Sequence, residues 1–149
     1  MLGAGHPRRG VSTLEAMAWG GPVLDGQMLC CCMDARRGQV YNALFTVEGG
    51  KPVRLTPDRA ISLPELESEL IARQEPCILL GDGAALCYNT LDRSQVTLFM
   101  APEPLRLQNA RGVGLAAMGQ PAVPAGELMP AYLRLSQAER ERLAKLERE

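Results

Sequence analysis

LCCCMDARRGQVYNALF, residues 29–45, joins an apolar block to a polar turn and then to an alternating run. With Met28 ahead of it, the first block is apolar at every position through Met33. A continuous apolar run of that length reads as a strand covered on both faces, and therefore as a central strand of a sheet. Residues 34–38 (DARRG) turn the chain, with Gly38 suited to a positive φ. On the return, Tyr41, Ala43, Phe45 and Val47 fall on one face and Val40, Asn42, Leu44 and Thr46 on the other, the period of a strand. The stretch thus predicts an antiparallel hairpin whose first strand lies inside the molecule.

The same period puts Cys30 and Cys32 on one face and Cys31 on the other. Five cysteines, three of them adjacent, do not form a disulfide framework, and the spacing is not that of a C-x-x-C zinc site. Cys77 and Cys87 supply no second half for one. The cysteines therefore read as small apolar core residues in a reducing compartment, with thiol pKa values raised by burial and little reactivity.

Around the hairpin the pattern is regular. Ser12 and Glu15 form an S-x-x-E capping box before Leu14, Met17 and Ala18, a helix that stops at Gly20-Gly21-Pro22. After a Gly49-Gly50 turn, residues 52–55 read as a third strand, placed at an edge by Pro52. Ser62 and Glu65 make a second capping box, with Pro64 in the first turn and Leu63, Leu66, Leu70 and Ile71 at helical spacing. A short buried strand at 77–80, a Gly81-Asp82-Gly83 turn, a helix at 84–91, a strand at 96–100 and a helix at 108–118 follow. Residues 1–10 read as an irregular segment, 11–120 as one lobe, and 121–149 as an irregular tail with a terminal helix begun by Ser136 and Glu139.

The order βββαβαβα is that of a ribonuclease H-like α/β lobe, a mixed sheet with flanking helices in which the first strand sits beside the fourth. The 149 residues suffice for one domain with a core of its own. A net charge of −1 and the absence of a long apolar run argue against direct nucleic-acid binding and against a membrane span. The chain reads as cytoplasmic.

In such a sheet, ligands gather at the carboxyl ends of the parallel strands. Asp34 and Asp82 belong there, and with Glu65 or Glu67 they would form the carboxylate cluster of a two-metal nuclease. The competing reading makes both aspartates turn residues. A third reading is a nucleotide-binding lobe, with Asp34, Arg36, Arg37 and Gly38 at a phosphate-loop position and Gly81, Asp82 and Gly83 near adenosine. His6, the sole histidine, has no sequence neighbour to make it a base. Neither G-x-S-x-G, HExxH nor a P-loop is present. Catalytic residues, metal ligands and bound cofactors are therefore all expected to be absent.

GVSTLEAMA (10–18), MDARRGQVYNALF (33–45), LLGDG (79–83) and MPAYLRLSQAERE (129–141) resemble, in order, the C-terminal lobe of the TsaB family, also called YeaZ. The resemblance implies a lobe of the actin, Hsp70 and sugar-kinase superfamily. It also implies a non-catalytic, glycoprotease-like subunit in bacterial threonylcarbamoyladenosine modification of tRNA, with the catalytic subunit TsaD and the ATPase TsaE as partners. The ALDTS-like and GPGSFTGLR-like segments of the family's first lobe do not occur. On this reading the chain is the C-terminal lobe only, with Val11, Leu14, Met17 and Trp19 left partly exposed and prone to self-association.

Overall fold

The computed structural model describes residues 5–22, 24–133 and 137–146. In chain order these contain α1 (Thr13–Gly20), β1 (Met28–Asp34), β2 (Gln39–Glu48), β3 (Lys51–Arg54), β4 (Arg59–Ser62) and α2 (Leu63–Arg73). There follow β5 (Cys77–Leu80), α3 (Ala84–Thr90), β6 (Leu98–Met100), α4 (Glu103–Arg106), α5 (Ala110–Met118) and α6 (Gln137–Leu146). Ser136, read as the cap of the last helix, lies outside the described residues.

The apolar block of the opening stretch is the centre of a single sheet of order β3-β2-β1-β5-β6. β1 pairs antiparallel with β2, Cys32 opposite Asn42, and parallel with β5, Cys30 opposite Leu79. The first strand thus neighbours the predicted fourth, and β3, carrying Pro52, stands at the edge.

One strand escaped the sequence pattern. β2 is ten residues long, and two short strands share it: β3 pairs with its second half and β4 with its first. Between them, Leu44 accepts the Leu55 N–H through its carbonyl and donates its own N–H to Thr56 Oγ1 at 2.9 Å. That crossover keeps the β2 backbone paired while residues 55–58 loop away.

The two faces of the sheet carry separate cores. Cys30, Cys32, Val40 and Leu44 meet Leu63, Leu66 and Leu70 of α2 and Cys87 of α3. Cys31, Ala43, Phe45 and Val47 meet Leu14, Met17 and Ala18 of α1. α2 is anchored by a full capping box: Ser62 Oγ accepts the Glu65 N–H, and the Glu65 carboxylate accepts the Ser62 N–H at 3.2 Å. At α1 only half of the predicted box forms. Ser12 accepts the Glu15 N–H at 3.1 Å, but the Glu15 carboxylate turns to Arg54 instead.

The expected partial exposure along α1 is found at Val11 and Trp19 but not at Leu14 and Met17. Leu14 and Met17 are 2% and 4% exposed, and Val11 and Trp19 are partly covered. α5 packs across α1 so closely that a Cβ added to Gly112 would lie 2.2 Å from the Ala16 carbonyl oxygen. The chain's own second layer thus covers part of the surface assigned above to self-association.

Candidate functional site

β1 and β5 run parallel; β5 ends opposite Cys31 while β1 continues to Asp34, and the turn at 81–83 follows that extension so that Asp82 reaches the Asp34 amide. The main-chain N–H of Asp34 donates to Asp82 Oδ1 at 3.1 Å. Asp34 Oδ1 in turn accepts the N–H of Arg36 at 2.7 Å, and its Oδ2 lies 3.6 Å from the exposed Arg36 guanidinium. Each carboxylate therefore holds an amide of the hairpin end, which is the turn role open to aspartate. Arg36, Arg37 and Gly38 all have positive φ, 64°, 54° and 70°. Two arginines in the left-handed region store on the order of 1–2 kcal/mol each and stand outward at the tip.

The glycine turn is shaped by close packing. Gly81, at φ 95°, would place a Cβ 2.0 Å from the Cys32 carbonyl oxygen, and the Gly83 N–H donates to that oxygen at 3.1 Å. The Gly81 N–H donates to the Arg106 carbonyl at 2.7 Å. Asp34, Arg36, Arg37, Gly38, Gly81, Asp82 and Gly83 are thus brought to one end of the sheet. Glu65 and Glu67 are not. Glu65 closes the α2 capping box, and Glu67 accepts the Asp92 N–H at 2.6 Å beyond α3. Among the described residues no group of three His, Cys, Asp or Glu side chains is arranged to hold a metal ion. His6 is exposed.

Beneath this end lies a polar feature that sequence spacing does not reveal. Asn42 is fully buried, donating through Nδ2 to the Cys31 carbonyl at 3.0 Å and to the sulfurs of Cys30 and Cys32 at 3.4 and 3.5 Å. Its Oδ1 accepts from Nε and Nη2 of Arg59, whose guanidinium also pairs with Glu69. Burial pushes Cys31 well above the ordinary thiol range. Hydrogen bonding to Cys32 does the same for Cys30 and Cys87. Cys32 goes the other way, lowered by hydrogen bonds from Cys30 and Cys87, with smaller help from Asn42 and Arg59 against burial. The expectation of uniformly raised thiols therefore fails at Cys32, where hydrogen bonding first with Cys30 and then with Cys87 outweighs burial. The only sequence signal was a lone Asn on an apolar strand face.

On the opposite side, a cleft of about 1020 Å³ lies between α1 and residues 128–133, lined by Val11, Leu14, Met33, Tyr41, Leu128 and Tyr132 among others. Ser12, on its wall, already caps α1.

No family model matches the chain. Over 135 residues, 89% of its length, it is 31% identical to the tRNA threonylcarbamoyladenosine biosynthesis protein TsaB of Bacillus subtilis (strain 168). The chain is thus similar to TsaB over most of its own length. It spans 58% of that TsaB's length. Two solved structures share its fold. One is YeaZ from Pseudomonas aeruginosa, with a TM-score of 0.57 and 20% identity over 86% of this chain and 59% of that one. The other, from the same organism, is described as an uncharacterized protein with similarity to peptidase YeaZ, with a TM-score of 0.59 and 20% identity over 83% and 57%. The mixed sheet with flanking helices is thus the fold shared with YeaZ, as the TsaB resemblance implied.

Proposed function

We propose that this chain serves threonylcarbamoyladenosine formation in tRNA as a non-catalytic interaction subunit, acting in the cytoplasm beside TsaD and TsaE. The observation that carries the reading is the identity to TsaB over nearly the whole chain. The site geometry supports a non-catalytic role. The hydroxyls of Ser12 and Ser62 are engaged in helix caps, Asp34 and Asp82 accept main-chain amides, Glu65 closes the cap of its own helix and Glu67 accepts the Asp92 amide. A general base needs to stand within reach of a nucleophile, whereas each of these carboxylates is tied to a main-chain amide of a turn or helix end.

The nuclease reading is not favoured, since neither Glu65 nor Glu67 joins Asp34 and Asp82. A nucleotide-binding reading loses its glycine argument: Gly81 and Gly83 are needed to pass the Cys32 carbonyl. An interaction role needs exposed apolar surface, and Met129 and Tyr132 beside the α1 cleft are 76% and 85% exposed.

Purified chain, TsaD, TsaE and tRNA provide the test. TsaD should co-elute with the chain, and threonylcarbamoyladenosine should accumulate in a TsaB-free reaction only when the chain is added. Absence of both effects would reject the reading. Metal-dependent cleavage of an RNA–DNA hybrid, lost in Asp34→Asn, would restore the nuclease.

A further inference from the structure

Among the described residues, two apolar surfaces lack cover, and they match each other. The first is the cleft between α1 and residues 128–133, with Val11, Met33, Tyr41 and Tyr132 on its walls. At about 1020 Å³ it exceeds the needs of most small-molecule ligands, and it suits a row of side chains on a helix. The second is α6 (Gln137–Leu146), none of whose residues lines that cleft. Its Leu143 and Leu146 are 48% and 59% exposed. A helix of ten residues is marginal in water unless an apolar face is packed.

Charge adds to the match. Glu15 and Asp58 both line the cleft, and both pair with the single guanidinium of Arg54, so two negative charges share one positive one. Arg9, the cation on the cleft wall, is turned to the carbonyls of Ala117 and Met118. On α6, Leu143 and Leu146 are three residues apart, and Arg142 stands one turn before Leu146. Residues at those spacings share a helix face, so an arginine accompanies the two leucines.

We propose that α6 of one copy seats in the α1 cleft of a second copy, and that the exchange is reciprocal. Leu143 and Leu146 enter among Val11, Met33, Tyr41 and Tyr132, and Arg142 meets Glu15 and Asp58. Two such seats related by a two-fold axis make a closed dimer in which each copy gives a helix and receives one.

The length of the connection favours a second copy over the chain's own α6. Leu133 lines the cleft, and only residues 134–136 separate it from Gln137. Four residue steps reach at most roughly 14 Å. Seating α6 in its own cleft would require a full reversal within that reach, directly beside the wall. Short connections of this kind promote exchange between copies, and a net charge of −1 gives the copies little mutual repulsion.

The exchange does not depend on a role in tRNA modification, and sedimentation velocity of the whole chain, alone and over a range of concentrations, tests it. The expected result is a monomer–dimer equilibrium with a dissociation constant in the micromolar range, as suits two small contacts. Leu143→Asp combined with Leu146→Asp, and separately Tyr132→Asp, alter exposed side chains and should each weaken the dimer at least about tenfold. Mixed together, these two variants should associate again, since one brings an intact cleft and the other an intact helix. Arg142→Glu, which sets a third carboxylate beside Glu15 and Asp58, should weaken the dimer more than Arg142→Gln. A wild-type chain that stays monomeric throughout would overturn the proposal, with α6 then in its own cleft or in none. A dimer unaffected by Tyr132→Asp would also overturn it, by showing that the helices pair with each other. So would a mixture of the two variants that fails to associate.

Discussion

The carboxylate of Asp82 accepts the main-chain N–H of Asp34, with 3.1 Å between Oδ1 and N. The two aspartates that could have flanked a metal are instead donor and acceptor of one hydrogen bond, which ties the end of β1 to the turn after β5. If that is their role, the oxygen matters and the charge does not. Asp82→Asn, which keeps Oδ1, should change stability by a few tenths of a kcal/mol, whereas Asp82→Ala should cost about 1 kcal/mol. Urea unfolding of the two variants measures the difference. Equal losses would show that the charge, and not the acceptor, holds the turn.

How far the fold was legible can be judged at particular residues. The run 28–33 marked the central strand because no polar residue interrupts it, and Pro52 marked an edge because it cannot donate on one side. β4 was missed because Arg59, Ala60, Ile61 and Ser62 are only partly buried and their pairing is set by the length of β2, a non-local fact. The cover that α5 gives α1 was missed for the same reason: Gly112 fits against Ala16 across nearly a hundred residues of chain. At the candidate site, the turn residues were found and their neighbourhood was right, but the gathering of Cys77 and Cys87 onto the Cys30–Cys32 face depends on three elements at once. Spacing along the sequence carries no trace of such a cluster.

Acid should destabilise the protein through identifiable carboxylates. Burial pushes Glu69 up, but hydrogen bonds from Arg73 and Arg59 outweigh it and hold the carboxyl below its ordinary value of 4.5. Ser62, through its hydroxyl and then its N–H, lowers Glu65 as well. A folded pKa below the unfolded one means that the unfolded chain binds more protons in that window. The stabilisation is complete above about pH 5 and is lost as pH falls through the folded values. Glu69→Gln should cost up to about 1 kcal/mol at neutral pH and should flatten the acid limb of a plot of urea midpoint against pH. An unchanged acid limb in Glu69→Gln would place the linkage elsewhere.

Two glycines of α5 should respond oppositely to the same substitution. Gly112 and Gly114 both sit inside the helix, where alanine is intrinsically preferred by roughly 0.5–1 kcal/mol. Gly114 is exposed, and nothing lies within 4 Å of where its Cβ would be, so Gly114→Ala should stabilise the chain by about that propensity gain. At Gly112 a Cβ would meet the Ala16 carbonyl at 2.2 Å and the Gly20 backbone at 2.9 Å, atoms of a helix that is itself packed on the sheet through Leu14 and Met17. Neither helix can yield without lifting those side chains, so overpacking of about 1–3 kcal/mol exceeds the propensity gain. The net effect of Gly112→Ala is a loss, seen as a lower melting temperature and as faster hydrogen exchange in α1. A Gly112→Ala chain as stable as wild type would mean that α5 does not lie against α1 as closely as described, and that Leu14 and Met17 are open to a partner after all.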